Sequence, residues 1–341
     1  MIVQAIAKVL DGADLPQKEA VDVMSEVMSG QASPAQIGGL LTALRMKGES
    51  IGEISGFALA MREKATKISP KAATLIDTCG TGGDKSGTFN ISTAAAFVAA
   101  AAGISVAKHG NRSVSSKSGS ADVLEALGVK IDISPDAVEK CIEKVGIGFM
   151  FAPLFHQAMK HAAGPRAELG VRTVFNILGP LTNPAQAGYQ LLGVYDARLV
   201  RTMAQVLKNL GTRRAMVVHG SGGLDEITIS GTTHVAELKD GQIREYDISP
   251  EQFGIACADL HTVSGGDSTQ NAKIIETVLH GQPGERSDIT ALNAGAAIYV
   301  CGGANTLAEG ISRAQQILAD GSAANKLHEM IGVTNAIGDT A

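Results

Sequence analysis

Up to about residue 70, apolar residues recur at helical spacing. Val21, Met24, Val27 and Met28 share one helix face, and Ile37, Leu40, Leu41 and Leu44 share one face of the next. Ser33-Pro34 has the form of a helix start, and Ser69-Pro70 closes a third helical pattern that begins at Ser50. From Thr74 the pattern changes to short apolar runs separated by glycine turns and helical stretches. This predicts a small all-α N-terminal domain, residues 1–70, followed by a larger α/β domain, residues 71–341.

Within the second part, 74–77 reads as a strand, and 94–102 as a helix that Ser92 or Thr93 caps and Gly103 stops. That helix is apolar nearly all round, which predicts burial. A second strand over 104–107 leads through a polar loop to a helix over 121–127, closed by Gly128. A third strand, 215–218, is followed by strand-like runs at 227–229, 234–238 and 242–246. Asp240-Gly241 between the last two is a hairpin turn, so the central sheet is expected to be mixed, with helices on its faces. Helical patterns at about 270–280, 288–302 and 305–320 complete the domain.

Composition narrows the function. The 341 residues are 45% hydrophobic and 18% charged, enough for two ordinary domains with real cores. A net charge of −5 without basic runs argues against nucleic acid as a partner. Cys79, Cys141, Cys257 and Cys301 are scattered, as reduced thiols are. The first residues lack a signal-peptide pattern, and the alanine run after Thr93 is too short to cross a bilayer, so a cytoplasmic protein without membrane contact is expected.

The chemistry concentrates in 77–93, where Gly80, Gly82, Gly83 and Gly87 lie between a strand and a helix. Such a loop, with a helix N-terminus beside it, suits a phosphate. It is not a Walker loop, since Asp84 precedes Lys85-Ser86, and not a dinucleotide fingerprint, since position 85 is lysine. Asp84 would repel phosphate unless a cation or a ribose hydroxyl lies between, which points to a sugar phosphate with Mg2+. The loop over 108–120 carries Lys108, Arg112, Lys117 and several serines, a second anion cradle on the next strand–helix unit. Asp225-Glu226, after a glycine turn, suits Mg2+ but equally a solvated acidic turn. In 151–184, His156 and His161 are too poorly spaced to share a metal from one helix face, and Arg172 suits a helix end. Arg166 has the geometry to grip a carboxylate in bidentate fashion.

Assembled, these segments resemble the anthranilate phosphoribosyltransferase family. The resemblance rests on Asp77-x-Cys-Gly-Thr-Gly-Gly-Asp84, Phe89-Asn90-Ile-Ser-Thr93, Lys108-His-Gly-Asn-Arg112, Gly119-Ser-Ala-Asp-Val-Leu-Glu125, Arg166-x-Glu-Leu-Gly-x-Arg-Thr-x-Phe-Asn-x-Leu-Gly-Pro-Leu-x-Asn-Pro184 and Gly223-Leu-Asp-Glu226, in the family's order. Gln157 departs from it, where proline is common in relatives. The resemblance implies transfer of the phosphoribosyl group of 5-phosphoribosyl diphosphate (PRPP) to the amino group of anthranilate, in tryptophan biosynthesis. It further implies that about 167–190 returns to the helical domain and that this domain forms a homodimer.

Matched position by position, the resemblance assigns PRPP to Gly80, Gly83, Asp84, Thr88, Asn90, Ile91, Ser92 and Thr93. It adds Lys108, His109, Gly110, Asn111, Arg112, Ser113, Val114, Ser115, Ser116 and Ser120 to that cradle. Ser92, Asp225 and Glu226 would hold two Mg2+ ions per monomer, and Gly80, Asn111 and Arg166 would contact anthranilate, with no single residue as acid or base. Two rivals share the implied fold: a pyrimidine nucleoside phosphorylase, against which Asp225-Glu226 and the Arg166 segment speak, and a non-catalytic nucleic-acid-binding relative, against which the acidic charge speaks.

Overall fold

The computed structural model describes residues 1–113 and 117–338. Helices α1 (Ile2–Leu10), α2 (Gln17–Met28), α3 (Pro34–Lys47) and α4 (Ile51–Lys64) form the N-terminal part. Ser33 and Ser50 start α3 and α4 as capping boxes: each serine accepts an N–H of the first turn, while Gln36 or Glu53 accepts the serine's own N–H. Glu53 is fully buried and also accepts the Leu15 N–H at 3.0 Å and Lys47 Nζ at 2.9 Å, which joins the α1–α2 connection to α4.

The remainder alternates strands and helices. In order they are β1 (Leu75–Gly80), α5 (Ile91–Ala101), β2 (Ser105–Gly110), α6 (Ser120–Ala126), α7 (Pro135–Val145), β3 (Ile147–Phe151), α8 (Ala152–Phe155), α9 (Lys160–Leu169) and α10 (Phe175–Leu178). There follow β4 (Tyr189–Gly193), α11 (Leu199–Asn209), β5 (Arg214–Gly220), β6 (Thr233–Lys239), β7 (Gln242–Ile248), α12 (Ser268–Leu279), α13 (Glu285–Val300), α14 (Leu307–Ala319) and α15 (Ser322–Gly338). The strands make one seven-stranded sheet in the order β3-β2-β1-β4-β5-β6-β7. Pairs from β3 to β5 are parallel, and the two that add β6 and β7 are antiparallel. The mixed sheet flanked by helices is the one the pattern predicted. Asp240 (φ 51°) and Gly241 (φ 72°) form the expected hairpin turn. The chain winds outward from β1 to β2 and β3 on one side, then returns to β4 on the other, so a crevice opens at the carboxyl ends of β1 and β4.

Several elements differ from the sequence reading. The run 227–229 is not a strand: Asn293 from α13 accepts the Ile227 N–H and donates to the Ile227 carbonyl, both at 2.9 Å, so one side chain replaces a neighbouring strand. The central strand β4 and the edge strand β3 were not anticipated, because each is a five-residue run without polar alternation. Helix α5 starts at Ile91 with Asn90 as N-cap, one turn before the alanine run. Strand β2 extends to Gly110, which places Lys108 and His109 on the sheet rather than in the loop.

Two apolar layers sandwich the sheet. On one face α5 is enclosed by α13, α14 and α15, and its residues Ala94, Ala95, Ala96, Phe97, Val98 and Ala99 are fully buried. On the other face, side chains of α1 to α4 join Ala162, Phe175, Ile177, Leu178 and α11 against β4 and β5 in one continuous cluster. The segment around α9 and α10 thus packs against the N-terminal helices.

Candidate active site

The glycine loop leaves β1 at Gly80 and turns through Gly82 (φ 68°), Gly83 (φ 72°), Lys85 (φ 62°) and Gly87 (φ 68°). This left-handed backbone is accessible to glycine at little cost and gathers N–H groups on one side. Gly80 pairs with Gly193, so β1 and β4 both end in glycine where their paired register stops. The reason is steric. A Cβ on Gly80 would strike the Asp225 carboxylate, and one on Gly193 would strike the Asp225 backbone. The acidic turn can cross the strand ends only because neither has a side chain.

Asp225 and Glu226 reach opposite ends of the loop. Asp225 Oδ2 accepts the Gly82 N–H at 2.7 Å, and Glu226 Oε1 accepts the Ser92 N–H at 3.1 Å in the first turn of α5. The helix N-terminus expected to be free thus holds a carboxylate. Burial raises both acids, Asp225 to about 7 and Glu226 to about 8. Asp84 adds to the rise at Asp225, and Asp225 to that at Glu226. Such a cluster gains from a bound cation. Among the described residues no three ligating side chains converge as a closed metal cage. The donor set fits Mg2+, which takes one or two carboxylates and completes its shell with water and substrate oxygens.

Lys108 is 3% exposed and donates to the Thr78 carbonyl at 2.5 Å and to Ser92 Oγ at 3.3 Å. Its counter-charge is Asp77, fully buried beneath it. Asp77 accepts from Asn183 Nδ2 at 2.7 Å and from the His109 N–H at 3.3 Å. Burial weakens both charges: the Lys108 ammonium is lowered, and Asp77 is raised to about 6 despite Lys108.

The His109 and His156 rings meet at a tilt of 50° with centroids 5.0 Å apart, and the Nε2 of each is buried without a partner among the described residues. Burial, then His156, pushes His109 down to about 3; burial pushes His156 down to about 4. Both rings are therefore neutral near pH 7. Their unfolded value is near 6.5, so the unfolded chain binds more protons below that pH. The rings' own contribution is complete above pH 6.5 and is lost as pH falls, by about 2 kcal/mol per ring at about pH 5, against the opposite contribution of the raised acids Asp77, Asp225 and Glu226. Urea midpoints at pH 7.5 and 5, taken as the difference between His156→Gln and wild type, test this: the variant should gain stability relative to wild type on going to pH 5.

The second loop is partly drawn toward α6. Arg112 donates to Asp122 at 3.0 Å and to Glu125 at 2.8 Å, and its guanidinium lies 5.6 Å from the Phe151 ring centroid. The Ser113 N–H is held by Asp122, and Ser120 Oγ donates to the Asn111 carbonyl at 3.5 Å. Val114, Ser115 and Ser116 lie outside the described residues. Thr93 turns its hydroxyl into the protein, where it is buried without a partner among the described residues. Arg166, on α9, lies over the Phe175 ring at 4.8 Å.

Sequence reasoning missed three supports. Arg172 stacks on Tyr195 at 4.3 Å and donates to the Gly83 carbonyl, so it pins the glycine loop rather than a helix end. Asn183 orients Asp77, a role that its place in the 166–184 segment did not disclose. Asn293 holds the backbone that follows Glu226, and nothing in its helical run distinguished it.

Comparison with known proteins agrees with this geometry. The model of the glycosyl transferase family a/b domain matches residues 72–324, and that of the family's helical bundle domain matches 3–65. The chain is 54% identical over 336 residues to the anthranilate phosphoribosyltransferase of Acetivibrio thermocellus, covering 98% of this chain and 97% of that one. Its structure is similar to the crystal structure of anthranilate phosphoribosyltransferase from Thermus thermophilus, with a TM-score of 0.93, 45% identity and coverage of 97% of this chain and 99% of that one. It is also similar to the Saccharomyces cerevisiae enzyme in complex with PRPP and Mg, with a TM-score of 0.90, 27% identity and 98% of each chain covered.

Proposed function

The chain belongs to the glycosyl transferase family that includes the anthranilate phosphoribosyltransferases, and from that premise we infer how its own residues divide the work. The enzyme transfers the 5-phosphoribosyl group of PRPP to the amino group of anthranilate and releases diphosphate, with Mg2+. The observation that carries the assignment of roles is the buried acid pair, with one carboxylate on the glycine loop and one on the first turn of α5.

Gly80, Gly83, Asp84, Thr88 and the segment from Asn90 to Thr93 embrace the phosphates and ribose of PRPP. The β2 end and second loop, from Lys108 to Ser116 with Ser120, complete the cradle. Ser92, Asp225 and Glu226 would hold two Mg2+ ions, which would supply charge neutralisation for the departing diphosphate. As a ligand, Glu226 would give up the Ser92 N–H it now accepts, and that N–H would be available to a phosphate oxygen. Lys108 keeps positive charge beneath the leaving group without facing water. The transition state is oxocarbenium-like, so cleavage needs charge stabilisation rather than a proton donor.

Anthranilate's aromatic amine is a weak base and needs no strong base to attack. Orientation is the remaining task. Arg166 grips its carboxylate, with Asn111 and Gly80 beside the ring; largely buried and without an anionic partner among the described residues, the Arg166 guanidinium is available for this. Arg166→Ala should raise the anthranilate KM about tenfold or more while changing kcat less, as loss of a charge-assisted bidentate pair does. An unchanged KM would move the grip to another residue.

We read residues 1–70, joined by about 167–190, as one unit and 71–341 as the other; the shared apolar cluster of α1 to α4 with Phe175, Ile177 and Leu178 supports this. The helical unit pairs two copies into a homodimer, supported by the exposed apolar side chains Val3 (60%), Leu10 (67%) and Met46 (81%) on α1 and α3. No helix among the described residues is long and apolar enough to cross a membrane, which supports a cytoplasmic location. Loss of anthranilate fluorescence on adding PRPP and Mg2+, each omitted in turn, tests the function. Phosphorolysis of thymidine or uridine without any response to anthranilate would favour the phosphorylase instead.

A further inference from the structure

A buried asparagine on α12 takes no part in the roles above. Asn271 is 2% exposed; its Oδ1 accepts the Gly266 N–H at 2.7 Å, and its Nδ2 donates to Asn90 Oδ1 at 2.9 Å. Asn90 Nδ2 in turn donates to the Ser118 carbonyl at 3.2 Å, and Ser118 Oγ donates to Asn90 Oδ1 at 3.4 Å. This relay has a direction. A backbone N–H only donates and a backbone carbonyl only accepts, so Gly266 at one end and Ser118 at the other leave each amide a single orientation.

The relay joins the turn before α12, the end of the glycine loop and the second loop. The turn already lies against the glycine loop: Gly265 N–H donates to the Gly87 carbonyl at 2.8 Å, and the Phe89 N–H donates to the Val263 carbonyl at 3.2 Å. Gly265 has no room for a Cβ against Phe89 and Asn271. The Asn90 amide links this assembly to Ser118 through two hydrogen bonds. Asn90 is the N-cap of α5, yet its side chain caps nothing in the helix. It is committed to the relay.

We propose that Asn271 is a positioning residue for PRPP: it fixes the orientation of the Asn90 amide and so the register between the two halves of the cradle. The proposal rests on the reading of Asn90 and both loops as the PRPP site. Asn271→Asp keeps the size and the Gly266 bond but turns an acceptor toward Asn90 Oδ1. Asn90 must then either face that repulsion or turn over and set its oxygen against the Ser118 carbonyl. One link is lost whichever way it settles.

Asn271→Asp should raise the PRPP KM about tenfold and the anthranilate KM much less, because of the anthranilate contacts only Asn111 lies on the loop whose register is lost. In an Asn90→Ala background the same exchange should have no further effect on the PRPP KM, since the orientation it controls is gone. If Asn271→Asp does not accumulate as folded protein, Asn271→Ala removes both bonds without adding charge, and the same split is expected. An unchanged PRPP KM, an equal rise in both KM values, or additivity with Asn90→Ala overturns the proposal. The wild-type protein, assayed alongside, separates the two readings: PRPP-dependent turnover there with no change in the variant defeats only the role of Asn271. No PRPP dependence in the wild type defeats the site assignment itself.

Discussion

Exchanging Asp225 for Asn together with Glu226 for Gln should lower turnover on the order of a thousandfold, the scale of losing preorganised charge stabilisation at a leaving group. The fold should not suffer. Both acids are held well above their ordinary range, to about 7 and about 8, by burial and then by a neighbouring carboxylate, Asp84 at Asp225 and Asp225 at Glu226, so the charged forms are the strained ones. Neutral amides relieve that strain, and the new side chains can still accept from the Gly82 and Ser92 N–H groups. The double variant should therefore melt no lower than the parent at pH 8 while failing to consume anthranilate, even with added Mg2+. Full turnover at ordinary Mg2+ would remove the pair from the metal role.

Lys108→Met separates structure from catalysis in another way. Methionine fills the buried volume but leaves Asp77 without its cation. Removing one partner of a buried pair costs about 3–5 kcal/mol when the other must stay charged. Asp77 has an escape, because its carboxyl is already raised to about 6, against 3.8 in the unfolded chain. A folded value above the unfolded one means stability is lost as pH rises, and without Lys108 the folded value rises further. The variant should therefore be close to wild type in urea near pH 5 and fall away toward pH 8. Asp77→Asn in the same chain should abolish that pH dependence without restoring turnover, which should stay about a hundredfold down for want of the charge beneath the diphosphate. Recovery of turnover in the double variant would show that Lys108 acts only on the fold.

The sequence announced these groups unevenly. The helical start was legible because serine caps and apolar spacing act locally, as at Ser33 and Ser50. The glycine loop was legible because its left-handed turns demand glycine at Gly82, Gly83 and Gly87. Strand β4 was not, although it lies at the centre of the sheet, because a strand covered on both faces carries no alternation. The supports were hidden for a different reason. Arg172, Asn183, Asn271 and Asn293 act on groups 66 to 181 residues away, and a single polar side chain in a helix or turn gives no sign of a distant partner. The acid pair could be located from sequence, but not the reason Gly80 and Gly193 must be bare beneath it.

Helix α5 has the plainest sequence in the protein, a run of alanines, and it is enclosed on every side by the sheet and by α13, α14 and α15. Small side chains let those helices come close, and each extra methylene forced into such a layer costs about 1–3 kcal/mol or displaces the backbone. Because the first turn of α5 also holds Glu226, at the place we propose for the ligand phosphates, a displacement in the core would be felt as misplaced charge at the site. The alanines that look interchangeable set the dimensions of the site as strictly as the glycines of the loop do.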